Sequence, residues 1–214
     1  MKTGIMQPYL FPYIGYFQLI GAVDNFVVYD EIEYTKKGWI NRNRILDNKG
    51  EPSYISLPLK KDSDYLNIDQ RYIAASWRQK ECKKVLNRLN ASYRKASYFE
   101  EVYPYLESTL RFDNDNLFEY IYHSIEQMVS YLDIDTKLIK SSSLNCDKQL
   151  KKETRVINIC KSLDTTSYIN PIGGTTLYDK RDFTNQGINL NFLRTGNITY
   201  DQFKFDHVPY LSII

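Results

Sequence analysis

The sequence predicts an α/β protein built on a partly parallel sheet, with a mostly helical insertion at its centre. Three observations predict it. An apolar run, Thr3 to Met6, is followed by a turn, a helical pattern and a second apolar run, which is the order of a βαβ opening. Residues 76–133 then carry three successive apolar stripes at helical spacing. Beyond them, SYIN and INLNFLR read as further strands separated by a short helix.

The opening stretch organises the rest. After Gln7-Pro8 it packs Tyr9, Phe11, Tyr13, Tyr16 and Phe17 around two prolines and Gly15. From about Pro12 to Val23 the apolar residues Tyr13, Phe17 and Ile20 fall on one helical face, and Pro12 suits a first turn because its missing N–H would have no partner there. Asp24-Asn25 breaks the pattern, and Phe26–Tyr29 reads as a buried strand rich in β-branched and aromatic residues. The Gln7–Tyr16 turn therefore leaves the carboxyl end of a strand, where open parallel sheets gather their ligands.

Composition bounds the function. The chain has 214 residues, 43% hydrophobic and 25% charged, as in ordinary globular proteins. A net charge of +2 gives no electrostatic reason to expect nucleic acid or an anionic membrane as a partner. Tyrosine stands out at 19 copies, and each pairs a large apolar ring with a hydroxyl that needs a partner. Cys82, Cys146 and Cys160 have no metal-like spacing, and reduced thiols in a cytoplasmic protein account for them. With only His123 and His207 available, a zinc site or a His-dependent triad would consume nearly the whole supply, and no metal site is expected. His123 lies beside an apolar stripe and reads as structural. Gln7, two prolines and Gly15 interrupt the apolar start, so no signal peptide is expected, and no run approaches a membrane span.

Further along, Lys36 to Arg44 brings Gly38, Trp39, Asn41, Arg42 and Asn43 together. Guanidinium and amide groups beside an indole could grip a phosphate plus a ring. SYISLPL alternates like a strand returning to the sheet, and Leu66–Ala74 reads as a weak strand. Ser76 with Gln79, and Ser97 with Glu100, have capping-box spacing, and Asn114 or Asp115 can cap a third helix. KSSSLNCD, residues 140–147, is linker-like and precedes a basic helix from about Lys148 to Leu163. The SYIN strand runs into Gly173-Gly174, which permits close backbone approach to a ligand. Tyr178, in that loop, and Gln202, in the irregular tail, join the candidate binding residues. The two glycine-bearing loops are expected to open into one cleft.

Read in order, QPYLFPYIGYFQLI, D-x-FVVYD, GWINRN, SWRQKE, RVINICKSL leading to SYINPIGG, and YDQFKF…PYLSII make the chain resemble the WbqC-like family over its full length as a single domain. That resemblance implies an aminoacyl (glycine) or acyl transferase acting on the amine of a nucleotide-linked amino-dideoxy sugar, in O-antigen or surface-polysaccharide biosynthesis. Its partners would be the nucleotide sugar and an amino-acid or acyl donor, whether ATP-activated or already activated. Nucleic acid would enter only as aminoacyl-tRNA. Family members run on past the LSII ending with an acidic residue and a further apolar segment, a role absent from this chain or supplied elsewhere. A second, architectural resemblance is to the opening βαβ of nucleotidylyltransferase-like HUP folds. Those place two histidines around a glycine, where this chain has Tyr13 and Tyr16 around Ile14-Gly15, so their mode of ATP activation does not carry over.

The residues leave two functions open. In a transferase, the sugar amine is itself the nucleophile, so the protein needs a base, an oxyanion clamp and positioning groups. Asp30, at the end of the second strand, and His207 are the candidate bases, while Asp24 precedes that strand and falls at the opposite edge. Arg42, Asn41, Asn43 and the Gly173-Gly174 amides are candidate clamps, and Tyr9, Tyr13 and Trp39 are candidate stacking rings. A non-catalytic nucleotide-sugar or glycan-binding subunit would use the same aromatic, Arg and Asn residues.

Overall fold

A computed structural model describes residues 1–196 and 198–214. The elements in chain order are β1 (Lys2–Met6), α1 (Ile14–Gly21), β2 (Asn25–Val28), β3 (Arg42–Leu46), β4 (Pro52–Ser56), α2 (Cys82–Tyr93), α3 (Phe99–Leu110), α4 (Leu117–Tyr131), β5 (Lys137–Lys140), α5 (Lys152–Ser162), β6 (Ser167–Pro171), α6 (Lys180–Thr184) and β7 (Asn189–Leu193). They fall into two compact units. The first comprises Met1–Gln7, Gly15–Glu31 and Leu132–Ile198; the second comprises Pro8–Ile14, Ile32–Tyr131 and Thr199–Ile214.

The first unit is α/β. Its five strands lie in the order β5-β2-β1-β6-β7, and every neighbouring pair is parallel. β2 is buried along its whole length, as a central strand covered on both faces must be. Alternation divides the two faces. Val27 and Ile5, paired in register, pack with Val156, Ile159 and Cys160 of α5 and Phe183 of α6. Phe26, one residue earlier, points the other way and meets the Tyr16 ring of α1 edge-on at 5.3 Å. Gly4 lies opposite Phe26, and a Cβ there would come within 3.1 Å of that ring.

The second unit is a helical block with a hairpin. α2, α3 and α4 account for the predicted central helices. Tyr120 anchors them, its ring edge-on to Trp77 at 6.2 Å and its hydroxyl donating to the Leu110 carbonyl at 2.7 Å. His123 stacks on Phe112 at 3.9 Å, and burial lowers its pKa, as suits a structural imidazole. β3 and β4 form an antiparallel hairpin, Arg42 opposite Ser56 and Leu46 opposite Pro52. Its turn is fixed by the Asp47 carboxylate, which accepts the Lys49 and Glu51 N–H groups at 2.8 and 3.0 Å.

Several local expectations are corrected. SYISLPL does not return to the large sheet, because its alternation matches β3 and forms a separate two-stranded sheet. Residues 66–74 hold a 3-10 turn, Ile68–Gln70, with isolated bridges in place of a strand. Ser76 does not cap a helix: it already has helical dihedrals and leads into a wide π-turn, Trp77–Glu81. The position before α3 is Tyr98, which makes no side-chain cap. At α4 the cap is Asn116, whose Oδ1 accepts the Glu119 N–H at 3.1 Å, while Asn114 in turn accepts the Asn116 N–H at 2.9 Å. The strand β5 is additional to the sequence reading, and α5 begins at Lys152, later than expected.

Candidate functional site

Because all five strands of the first unit are parallel, their carboxyl ends share one edge. The chain moves from β1 to β2 on one side and places β6 and β7 on the other, so the switch point lies between β1 and β6. Gln7 leaves β1 at that edge and Gly173-Gly174 leave β6 there. Gly15 and Tyr16 open α1, and the Tyr16 hydroxyl donates to the Gln7 carbonyl at 2.9 Å, tying the helix start to the strand end. Gly174 is buried against Asn170, whose Nδ2 would lie 1.8 Å from any added Cβ; Gly173 has open space around it. Tyr178 packs edge-on against Tyr168 at 6.0 Å and shares a hydrogen bond with it, and burial raises the pKa of both phenols.

Asp30 also emerges at this edge, just past β2, and is only 2% exposed. Its Oδ1 accepts the Ser141 hydroxyl at 2.5 Å and the Ser142 N–H at 2.9 Å. Next to it, Glu31 accepts from Arg155 of α5 at 2.9 Å and from Lys148 at 2.7 Å. Arg155 is a nearly buried guanidinium that also donates to the Asp147 carbonyl at 2.8 Å. Asp24 sits before β2 and accepts the Lys2 N–H at 2.7 Å, as expected of the opposite edge.

The remaining predicted residues belong to the second unit. Tyr9, Tyr13, Trp39 and Asn43 line a cavity of about 330 Å³ together with Pro12, Arg44 and Tyr210. Burial, and then the neighbouring Tyr13, raise the Tyr9 pKa. Asn43 positions the tyrosine loop on β3: its Nδ2 donates to the Leu10 and Phe11 carbonyls at 3.0 and 2.9 Å, and its Oδ1 accepts the Arg44 N–H at 2.8 Å. Phe11 sits in the left-handed region at φ 40, and its carbonyl also accepts the Ser212 hydroxyl at 2.8 Å, so several bonds hold an unfavourable backbone.

Asn41 accepts the Tyr34 hydroxyl and donates to the Leu57 carbonyl, both at 2.8 Å. Arg42 donates to the Lys37 and Gly38 carbonyls and lies 4.7 Å from the Tyr54 ring centre. Gln202 is buried and exchanges hydrogen bonds with both backbone groups of Val208. His207 is exposed, with Tyr200 edge-on at 5.4 Å.

Sequence reasoning passed over Glu31, Arg155 and Ser141. Arg44 lies within the 36–44 stretch that the sequence offers as a grip, two residues after Arg42 on the same hairpin face. The signal for Arg155 was a guanidinium beside the inward Val156 and Cys160. All three cysteines are free thiols, and among the described residues no three His, Cys, Asp or Glu side chains gather as a metal would require. No helix among them is long and apolar enough to cross a membrane.

Comparison with known proteins agrees with the family resemblance. An uncharacterized protein of Mycobacterium tuberculosis (strain ATCC 25618 / H37Rv), Rv1507c, is 30% identical over 217 residues, which covers 100% of this chain and 91% of that protein. No solved structure matches the chain. The WbqC-like protein family matches across residues 7–214, and the chain belongs to that family.

Proposed function

We propose that the protein is an aminoacyl (glycine) or acyl transferase that forms an amide on the amine of a nucleotide-linked amino-dideoxy sugar, in O-antigen or surface-polysaccharide biosynthesis. One observation carries the reading for this family member: Gln7, Asp30 and Gly173-Gly174 follow β1, β2 and β6 at one edge of a parallel sheet whose switch point lies between β1 and β6, and Tyr16 ties the start of α1 to the same strand end. In the proposed reaction the amine lone pair attacks the acyl carbonyl and the new C–N bond forms. The carbonyl oxygen becomes an oxyanion, the donor's leaving group departs, and a base takes the ammonium proton. Exposed backbone at Gly173 suits the oxyanion or a phosphate. Asp30 is the proposed base, through Oδ2, with His207 as its rival. No acylated cysteine or serine is needed on this route.

A second reading, a non-catalytic nucleotide-sugar or glycan-binding subunit, is favoured by the burial of Asp30 and its bonds to Ser141 and Ser142. Turnover separates the two. The purified protein is incubated with an amino-sugar nucleotide and either glycine plus ATP or a preactivated acyl donor. Amide product without added partner supports the transferase; saturable nucleotide-sugar binding with no amide from any donor supports the binding subunit.

A further inference from the structure

The cavity of the second unit has a lining chemistry of its own. Four aromatic side chains, Tyr9, Tyr13, Trp39 and Tyr210, form most of its wall. Asn43 is committed to the Leu10 and Phe11 carbonyls and to the Arg44 N–H, and among the described residues Arg44 is the one charged group in the lining. The Arg44 guanidinium stands 5.8 Å from the Trp39 ring centre. Its Nη2 donates to the Pro209 and Tyr210 carbonyls at 3.2 and 3.4 Å, while its Nε is a buried donor with no partner among the described residues.

These features select among ligands. A cationic guest would seek the aromatic faces, but a guanidinium already holds the Trp39 face and repels a second positive charge. A planar base is best held between parallel plates, whereas Tyr13 and Tyr210 meet edge-on, 75° apart at 5.8 Å. A puckered pyranose ring presents C–H faces to such inclined aromatic walls and hydroxyls to a guanidinium. The volume, about 330 Å³, falls within the range of small-molecule sites.

We propose that this cavity is a binding site for a neutral or anionic pyranose ring, with the aromatic walls against its C–H faces and Arg44 donating to a ring hydroxyl or carboxylate. Tyr210 is the most exposed of the four rings, at 69%, and lies in the left-handed region at φ 57. Ser212 and Ile213 just beyond it are pinned to the Phe11 and Pro12 carbonyls. This rests on the sugar-binding part of the proposed function and names the residues that would hold the ring, and it requires no transfer reaction.

Trp77 is buried in the helical block, so Trp77→Phe leaves Trp39 as the single tryptophan and its emission reports the cavity. That variant is titrated with N-acetylglucosamine, fucose and glucuronate, with uridine and tetramethylammonium as planar and cationic controls. The expected result is a saturable Trp39 response to at least one pyranose and a weaker response, or none, to the controls. Tyr210→Ala and Arg44→Lys in the same background are expected to weaken that binding about tenfold, with circular dichroism unchanged. A stronger response to either control, silence toward all three sugars, or binding that neither substitution weakens overturns the proposal. Turnover in the transfer assay with a silent Trp39 would leave the transfer reading standing and remove this one.

Discussion

The Ser141 hydroxyl and Asp30 bond each other twice: Ser141 Oγ accepts the Asp30 N–H at 3.2 Å and donates to Asp30 Oδ1 at 2.5 Å. With the Ser142 N–H on the same oxygen, Asp30 fastens the end of β2 to the 3-10 turn that follows β5. A carboxylate placed as a candidate base is thus also a structural fastener, and the two roles can be separated. Asp30→Ala removes the acceptor and is expected to cost about 1–3 kcal/mol in chemical denaturation. Asp30→Asn keeps a carbonyl oxygen for Ser141 and Ser142 and is expected to lose clearly less.

Glu31 holds two cations of very different burial. Arg155 has a side chain 2% exposed, whereas that of Lys148 is 58% exposed. Glu31→Gln strips the buried guanidinium of its countercharge and is expected to destabilise by about 3–5 kcal/mol. Lys148→Ala is expected to leave the denaturation midpoint nearly unchanged, since exposed pairs contribute little. Equal effects of the two substitutions would contradict this division.

Gly173 and Gly174 are expected to differ sharply. Gly174→Ala forces its Cβ against Asn170 Nδ2, whereas a Cβ at Gly173 meets nothing within 4 Å among the described residues. Crowding of this kind costs about 1–3 kcal/mol. Adding Asn170→Ala to Gly174→Ala should recover part of that loss, a non-additivity that a double-mutant cycle measures.

Alkali tests the buried protons. Burial pushes Cys160 from 9.0 up to about 12 and Tyr93 from 10.0 up to about 12, and it raises Tyr120 and Tyr168 as well. The folded values exceed the unfolded ones, so the unfolded chain releases these protons first. Their contribution to stability is complete below about pH 9 and is lost as the pH rises toward about 12. Denaturant midpoints should therefore fall across that window. Burial also raises the Cys82 thiol, so only Cys82→Ala combined with Cys160→Ala, which leaves the tyrosines, should delay the start of the fall by about one pH unit.

Much of this architecture was legible in the chain. β1, β2, β6 and β7 are apolar runs between turn residues, and the helical stripes are long enough to declare their period. β5 was not legible, because KLIK brackets two apolar residues with lysines, as an edge strand that must resist further pairing does. The alternation of Tyr54 and Ile55 gave β4 its period but could not name its partner, which depends on the turn at Asp47. At the site, glycines and aromatic clusters announce themselves locally. The Glu31–Arg155 pair spans 124 positions, and nothing local to either residue specifies it.

The most direct test of the transfer account is mass spectrometry of a quenched reaction containing the protein, an amino-sugar nucleotide and an activated acyl donor. The account predicts an amide on the sugar amine, a polypeptide that carries no acyl group, and loss of most turnover in a folded Asp30→Asn variant that still binds the nucleotide sugar. An acylated chain, undiminished turnover in Asp30→Asn alongside loss in His207→Gln, or a bound nucleotide sugar that no donor converts to amide would contradict it.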